Sequence, residues 1–130
     1  MNKSNKKILI IEDDQDFIDI LTTRLYSDGY KNIIYALDGL EGLNIAKKVK
    51  PDLIILDVML PRMDGYHICG YLKNDTRYNQ IKIIMYTIKA GAEDLKIGMT
   101  VKPDVYLVKG MYGMDLLTTM NKLLEGKNEL

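Results

Sequence analysis

Leu53-Ile54-Ile55-Leu56-Asp57-Val58-Met59-Leu60-Pro61 is the stretch on which the reading of this chain turns. Four apolar residues run straight into an aspartate, and a proline follows four positions later. An uninterrupted apolar run this short predicts a strand covered on both faces, as in the middle of a parallel sheet. Asp57 then stands where the strand leaves the sheet, the edge at which ligands and chemistry gather in open α/β folds.

Similar runs lie on either side. Ile8-Leu9-Ile10-Ile11 reads as a first strand that ends in Glu12-Asp13-Asp14, and Ile33-Ile34-Tyr35-Ala36 as a second. Ile81 to Tyr86 reads as a fourth, ending at Thr87, and Val105-Tyr106-Leu107-Val108 as a fifth, ending at Lys109. Helical periods separate them. Gln15 to Asp28 places Phe17, Ile20, Leu21 and Leu25 on one face, with Asp14 as N-cap. A second helix follows Asp38-Gly39, shows Leu40, Leu43 and Ala46, and closes at Pro51. A third runs from about Tyr66 to Asn74. Ala92 to Met99 is a weaker candidate because Gly98 interrupts it. The last carries Leu116, Leu117, Met120, Leu123 and Leu124 and stops at Gly126. Strand and helix thus alternate along the chain, which predicts a parallel sheet with helices on both faces, joined by right-handed crossovers.

The totals agree with one domain of 130 residues, with a flexible lead-in over residues 1–6. Acids and bases balance at 18 each, which argues against direct binding of nucleic acid through bulk charge. No apolar run reaches the length of a membrane span and no signal-peptide pattern opens the chain. The single Cys69 has no internal disulfide partner and falls in the apolar period of Ile68 and Leu72, as a small buried core residue. A reducing cytoplasm is the expected location.

The strand ends bring Glu12, Asp13, Asp57, Thr87 and Lys109 to one edge of the sheet. Three carboxylates there repel, and a hard divalent cation relieves the repulsion. Mg²⁺, with Mn²⁺ as a substitute, suits such a donor set. Asp13 and Asp57 are expected to ligate directly, Glu12 through a water, and Met59 through its backbone carbonyl. A free oxygen of Asp57 is then a competent nucleophile toward a phosphoryl group. The oxygens of the acyl phosphate would go to the metal, to Lys109 and to the Thr87 hydroxyl. Asp14 and Asp16 read instead as acids at a helix N-terminus.

On these residues the chain resembles the response-regulator receiver domains of two-component signalling, over essentially its whole length. Ile10-Ile11-Glu12-Asp13-Asp14 is similar to the family's acidic pair, and Leu56 to Gly65 to its phosphoacceptor signature. Ile83 to Thr87 is similar to its fourth strand with the switch hydroxyl, and Tyr106 to Lys109 to its fifth with the lysine. The resemblance implies a flavodoxin-like (βα)5 fold, a doubly wound five-stranded parallel sheet of order 2-1-3-4-5. It implies transfer of a phosphoryl group to Asp57 from a histidine kinase or histidine phosphotransfer protein, with Mg²⁺. It implies a switch in which Thr87 turns to the phosphoryl group and Tyr106 rotates inward behind it. The surface of the fourth helix, fifth strand and fifth helix would then report the state to an output protein. Such a protein is not an enzyme on other substrates, and is a monomer or a weak phosphorylation-linked dimer.

Three positions depart from the family pattern. Gly110 follows Lys109 where the family has proline, Ile88 follows Thr87 where it has a small residue, and Lys102-Pro103-Asp104 replaces its glycine-alanine turn. Glycine at 110 is expected to allow a trans path that still aims Lys109. Ile88 is expected to narrow access to Asp57. Other functions are disfavoured. A phosphatase of the haloacid-dehalogenase type needs a second aspartate where Met59 stands, and the acids after the first strand would repel the phosphate of a flavin. A degenerate receiver that docks partners without phosphorylation is the alternative reading.

Overall fold

The computed structural model describes residues 1–110 and 115–126. Five strands, β1 (Lys7–Ile11), β2 (Asn32–Ala36), β3 (Leu53–Leu56), β4 (Lys82–Thr87) and β5 (Val105–Val108), alternate with five helices. These are α1 (Gln15–Ser27), α2 (Gly39–Val49), α3 (Gly65–Lys73), α4 (Ala92–Val101) and α5 (Leu116–Leu124). The strands form one parallel sheet in the order β2-β1-β3-β4-β5, as expected. The register sets Leu9 beside Ile54 and Ile54 beside Ile83, and ends with Ile11 beside Leu56 and Leu56 beside Met85. The C-terminal ends of the three central strands are therefore level.

Alternation along each strand divides the core in two. Leu9, Ile11, Ile54, Leu56, Ile83 and Met85 face the side covered by α2 and α3. Ile8, Ile10, Leu53, Ile55, Ile84 and Leu107 face the side covered by α1 and α5. All four residues of β3 are buried, which explains why its sequence lacks polar alternation. Each such side chain contributes about 1.5–3 kcal/mol by leaving water. Cys69 is fully buried within the first layer, its thiol donating to Val101 O at 3.4 Å. Burial pushes that thiol up to about 12, so it behaves as a small apolar group. Among the described residues no helix is long and apolar enough to cross a membrane.

Helix starts follow their caps. The side chains of Asp14, Asp38, Asp64 and Asp115 each accept a backbone N–H from the first turn of α1, α2, α3 and α5. The buried stripe of α1 differs from expectation. Ile18, Leu21 and Leu25 face the sheet, whereas Ile20 is 63% exposed. Ile18 and Ile20 lie about 200° apart on the helix, so only one can join Leu21 and Leu25. Lys3–Asn5 forms a 3-10 turn, and Lys3 Nζ pairs with Asp28 at 3.1 Å.

The helix through Gly98 continues to Val101 rather than ending at Met99. Gly98 is buried there because the ring of Tyr106 lies against it: a Cβ on Gly98 would fall 2.6 Å from Tyr106 Cδ2. Lys102 then closes α4 in the left-handed conformation. Asp104 ties the start of β5 to its neighbours, accepting the Ile83 N–H at 2.8 Å and pairing with Lys73 Nζ at 2.6 Å. The unusual Lys102-Pro103-Asp104 stretch thus anchors an edge strand.

Candidate functional site

The level strand ends carry the site. Backbone bonds fix the departing chains: Asp57 N–H donates to Ile11 O at 3.1 Å, Glu12 N–H to Ala36 O at 3.1 Å, and Lys109 N–H to Thr87 O at 2.8 Å. Glu12, Asp57 and Thr87 are the buried polar side chains of the described residues.

Lys109 joins two of them. Its Nζ lies 2.7 Å from Glu12 Oε1 and 3.2 Å from Asp57 Oδ2. The ammonium also stands over the Phe17 ring, 4.1 Å from its centroid, with the Tyr86 ring at 5.8 Å. The other oxygen of Glu12 accepts the N–H groups of Asp13 and Asp14, at 3.0 and 3.2 Å. Asp57 Oδ1 accepts the Met59 N–H at 3.3 Å. Burial pushes the Glu12 carboxyl above its ordinary value and the Asp57 charge adds to this, although Lys109 opposes it. Burial alone would pull the Lys109 ammonium down, but its bonds to Glu12 and Asp57 outweigh that and hold it above its ordinary value.

These groups open onto a cleft of about 890 Å³ lined by Asp13, Asp57, Met59, Tyr66, Ile88 and Lys109 among others. Asp13 is exposed on its wall. Ile88 lines the same cleft and is 67% exposed. Gly110, at φ +82, carries the chain away from Lys109, and no cis peptide occurs among the described residues. Glycine adopts that conformation without strain.

The structure thus brings Glu12, Asp57 and Lys109 into direct contact and sets Asp13 and Met59 in the same cleft. Glu12, Asp13 and Asp57 line this one cleft. Among the described residues no three acidic, histidine or cysteine side chains lie close enough to form an ion cage. Thr87 lies deeper, fully buried, its hydroxyl accepting the Lys89 N–H at 3.3 Å.

Behind Thr87 is an arrangement that the sequence reading had only in part. Tyr106 donates its hydroxyl proton to Lys89 O at 2.8 Å. Lys89 therefore binds Thr87 through its N–H and Tyr106 through its carbonyl. Tyr66, Asp94, Lys89 and the ring of Phe17 had not been identified as parts of the site. Phe17 stands three residues past Asp14, at the start of a helix already placed beside the site, which is a usable signal. Tyr66 and Asp94 carry no such mark, because their neighbours come from distant parts of the chain.

Comparison with known proteins agrees with this geometry. The family model described as the response regulator receiver domain matches residues 8–121. The chain is 36% identical over 118 residues to the DNA-binding dual master transcriptional regulator RpaA of Synechocystis sp., covering 91% of this chain and 48% of that protein. It is 39% identical over 105 residues to the alkaline phosphatase synthesis transcriptional regulatory protein PhoP of Bacillus subtilis, covering 81% of this chain and 42% of that one. The chain spans about half the length of the curated relatives it matches. Among solved structures, the signal receiver domain of a signal transduction histidine kinase from Syntrophus aciditrophicus superposes with a TM-score of 0.86 at 30% identity, covering 96% of this chain and 94% of that one. The chemotaxis response regulator CheY4 of Vibrio cholerae gives 0.79 at 29% identity, covering 91% and 98%.

Proposed function

The chain belongs to the response regulator receiver domain family, and from that premise we propose that it is a phosphorylation-dependent switch with Asp57 as the phosphoryl acceptor. The observation that carries this reading is the grip of Lys109 on both Glu12 and Asp57 at the open ends of β1 and β3. It sets a carboxylate and a counter-charge together at the wall of a solvent cleft, where a phosphoryl group needs both.

In the proposed reaction the donor is a phosphohistidine on a histidine kinase or phosphotransfer protein. A carboxylate oxygen of Asp57 attacks phosphorus while the bond to the histidine nitrogen breaks, and the electron pair leaves with the imidazole. Lys109 is free to move its ammonium from Asp57 onto the phosphoryl oxygens while keeping Glu12. The donor set suits Mg²⁺ or Mn²⁺: Asp13 and Asp57 line the same cleft, and the available ligands are hard oxygens. Asp13, Asp57 and the Met59 carbonyl would hold the ion, with Glu12 reached through water. When bound, it would neutralise charge on the transferring group. No acid stands at Met59 to activate water, so the chain would store the phosphoryl group rather than turn it over rapidly.

The response would run through Lys89. When Thr87 turns its hydroxyl toward the phosphoryl group, the Lys89 N–H loses its acceptor, and the loop whose carbonyl holds Tyr106 moves with it. The phosphoryl group thereby favours one arrangement of the loop over another. Output would pass through the face formed by α4, β5 and α5, where Leu95 and Met99 are 43% and 79% exposed beside a groove that reaches Tyr106.

The test is to incubate the protein with Mg²⁺ and a small acyl-phosphate donor or beryllofluoride and to follow mass and tyrosine fluorescence. A stable adduct that disappears in Asp57→Asn is the expected result. Rapid release of phosphate would identify a phosphatase instead, and no adduct at all would identify an unphosphorylated docking module.

A further inference from the structure

We propose that Tyr66 is a positioning residue that latches the Tyr106 ring in its inward place, so that the switch in this chain is biased toward that arrangement before any phosphoryl group arrives. The inference rests on the reading of Tyr106 as the switch aromatic.

The two phenols come from elements 40 residues apart and meet with their hydroxyl oxygens 3.1 Å from each other. Each has one proton. Tyr106 gives its proton to Lys89 O, its shorter bond at 2.8 Å. The Tyr66 proton is then the one available for the contact between the two rings, its shortest at 3.1 Å, and it is shared with the Asp94 carbonyl and carboxylate. Burial pushes the Tyr66 phenol well above its ordinary value, and its bond to Tyr106 raises it further, as for a donor. Burial also raises Tyr106, but the bond to Tyr66 opposes that rise, as for an acceptor. Successive hydrogen bonds of this kind polarise and strengthen one another.

The surroundings make the arrangement a latch. Gly98 leaves the space that the Tyr106 ring fills. Asp94 of α4 also approaches the Tyr66 hydroxyl, which donates to its carbonyl at 3.2 Å and its carboxylate at 3.4 Å. Tyr66 therefore touches α4 and β5 at once while lining the cleft that holds Asp57. An outward swing of Tyr106 would give up the Lys89 carbonyl and the Tyr66 hydroxyl together. Tyr66 would lose the acceptor for its proton and be left to the longer Asp94 contacts. The ring is thus held by a residue at the head of α3, which follows directly on the Asp57 loop.

The experiment uses protein labelled with carbon-13 in the tyrosine rings, with the Tyr106 signal assigned through Tyr106→Phe. Tyr66→Phe removes one oxygen and keeps the ring, so the core is not opened. In the wild type without beryllofluoride, the Tyr106 signal should already lie near its position in the Mg²⁺–beryllofluoride complex. In Tyr66→Phe it should move away, with the inward to outward ratio reduced by about three- to tenfold, the worth of one hydrogen bond. Half-saturation by beryllofluoride should rise by no more than about twofold, because most of the wild type is already inward and the competent fraction falls less than the ratio does. An unchanged Tyr106 signal in Tyr66→Phe would overturn the proposal. If the wild type fails to bind beryllofluoride, the receiver reading falls, while the signal without ligand still decides whether Tyr66 holds Tyr106.

Discussion

Lys109 Nζ stands closer to Glu12 than to Asp57, 2.7 Å against 3.2 Å, so its principal partner in this arrangement is the acid at the end of β1. Glu12 is 4% exposed and its second oxygen is already engaged by two backbone N–H groups. Removal of the ammonium leaves two neighbouring carboxylates without their counter-charge. Lys109→Gln should therefore lose about 2 kcal/mol of stability in the absence of divalent ions, a typical cost for a hydrogen bond to a charged group. The same variant should bind Mg²⁺ more tightly, because a competing positive charge has left the site. Thermal unfolding with and without Mg²⁺ checks both parts; an equal rise in melting temperature in variant and wild type would refute the second.

Gly98 and Tyr106 make a separate prediction. Alanine in place of glycine inside a helix ordinarily gains about 1 kcal/mol. Here the added methyl meets the Tyr106 ring at 2.6 Å, and the ring must move. Gly98→Ala should leave the overall stability within about 1 kcal/mol of the wild type, as helix gain and packing loss offset each other. It should also expose Tyr106, and quenching of tyrosine fluorescence by iodide is the measurement. Protection equal to that of the wild type would mean that the ring does not depend on the slot.

Ile88 tests access to Asp57. Its side chain is 67% exposed at the rim of the cleft. Ile88→Ala should leave the fold unchanged and speed loss of phosphate from the acceptor by about threefold, or roughly 0.7 kcal/mol of barrier. Dephosphorylation of the isolated, phosphorylated proteins gives the comparison, and identical rates would remove Ile88 from the account.

Tyr30 predicts how stability changes with alkali. Its side chain is fully buried beside α5, with its hydroxyl bonded to Asn121. Burial, with smaller contributions from Asp28 and Glu125, pushes the phenol up to about 12. The fold favours the protonated form. Its contribution is fully present below an unfolded value of about 10 and is lost as pH rises through about 12, amounting to roughly 2 kcal/mol. Urea unfolding at about pH 9 and about pH 11.5 should show a smaller loss for Tyr30→Phe than for the wild type. Equal losses in the two proteins would contradict this.

Much of the fold was legible because the three central β segments announce their own burial. Leu53 to Leu56 has no polar residue because both faces are covered, and Ile8 to Ile11 of β1 and Ile83 to Met85 of β4 show the same pattern. The caps Asp14, Asp38, Asp64 and Asp115 act within one helical turn, so local sequence suffices to place them. Where the reading failed, distant packing had intervened. Gly98 looked like a flaw in a helix until Tyr106 was found in the space beside it. Ile20 looked like part of the α1 core stripe, but the sheet selects Ile18.

The chain by itself determined that five strands would end in Glu12, Ala36, Asp57, Thr87 and Lys109, and on which edge, because apolar runs and crossover handedness are local or general constraints. Strand order came from likeness to a family rather than from any single segment. Only the tertiary structure decided that Lys109 rests on Glu12 from 97 residues away and that Tyr66 meets Tyr106. Periodicity reports whether a side chain is buried. Which groups share a proton or a charge depends on how remote elements pack, and that is set by the sheet register and by spaces such as the one beside Gly98.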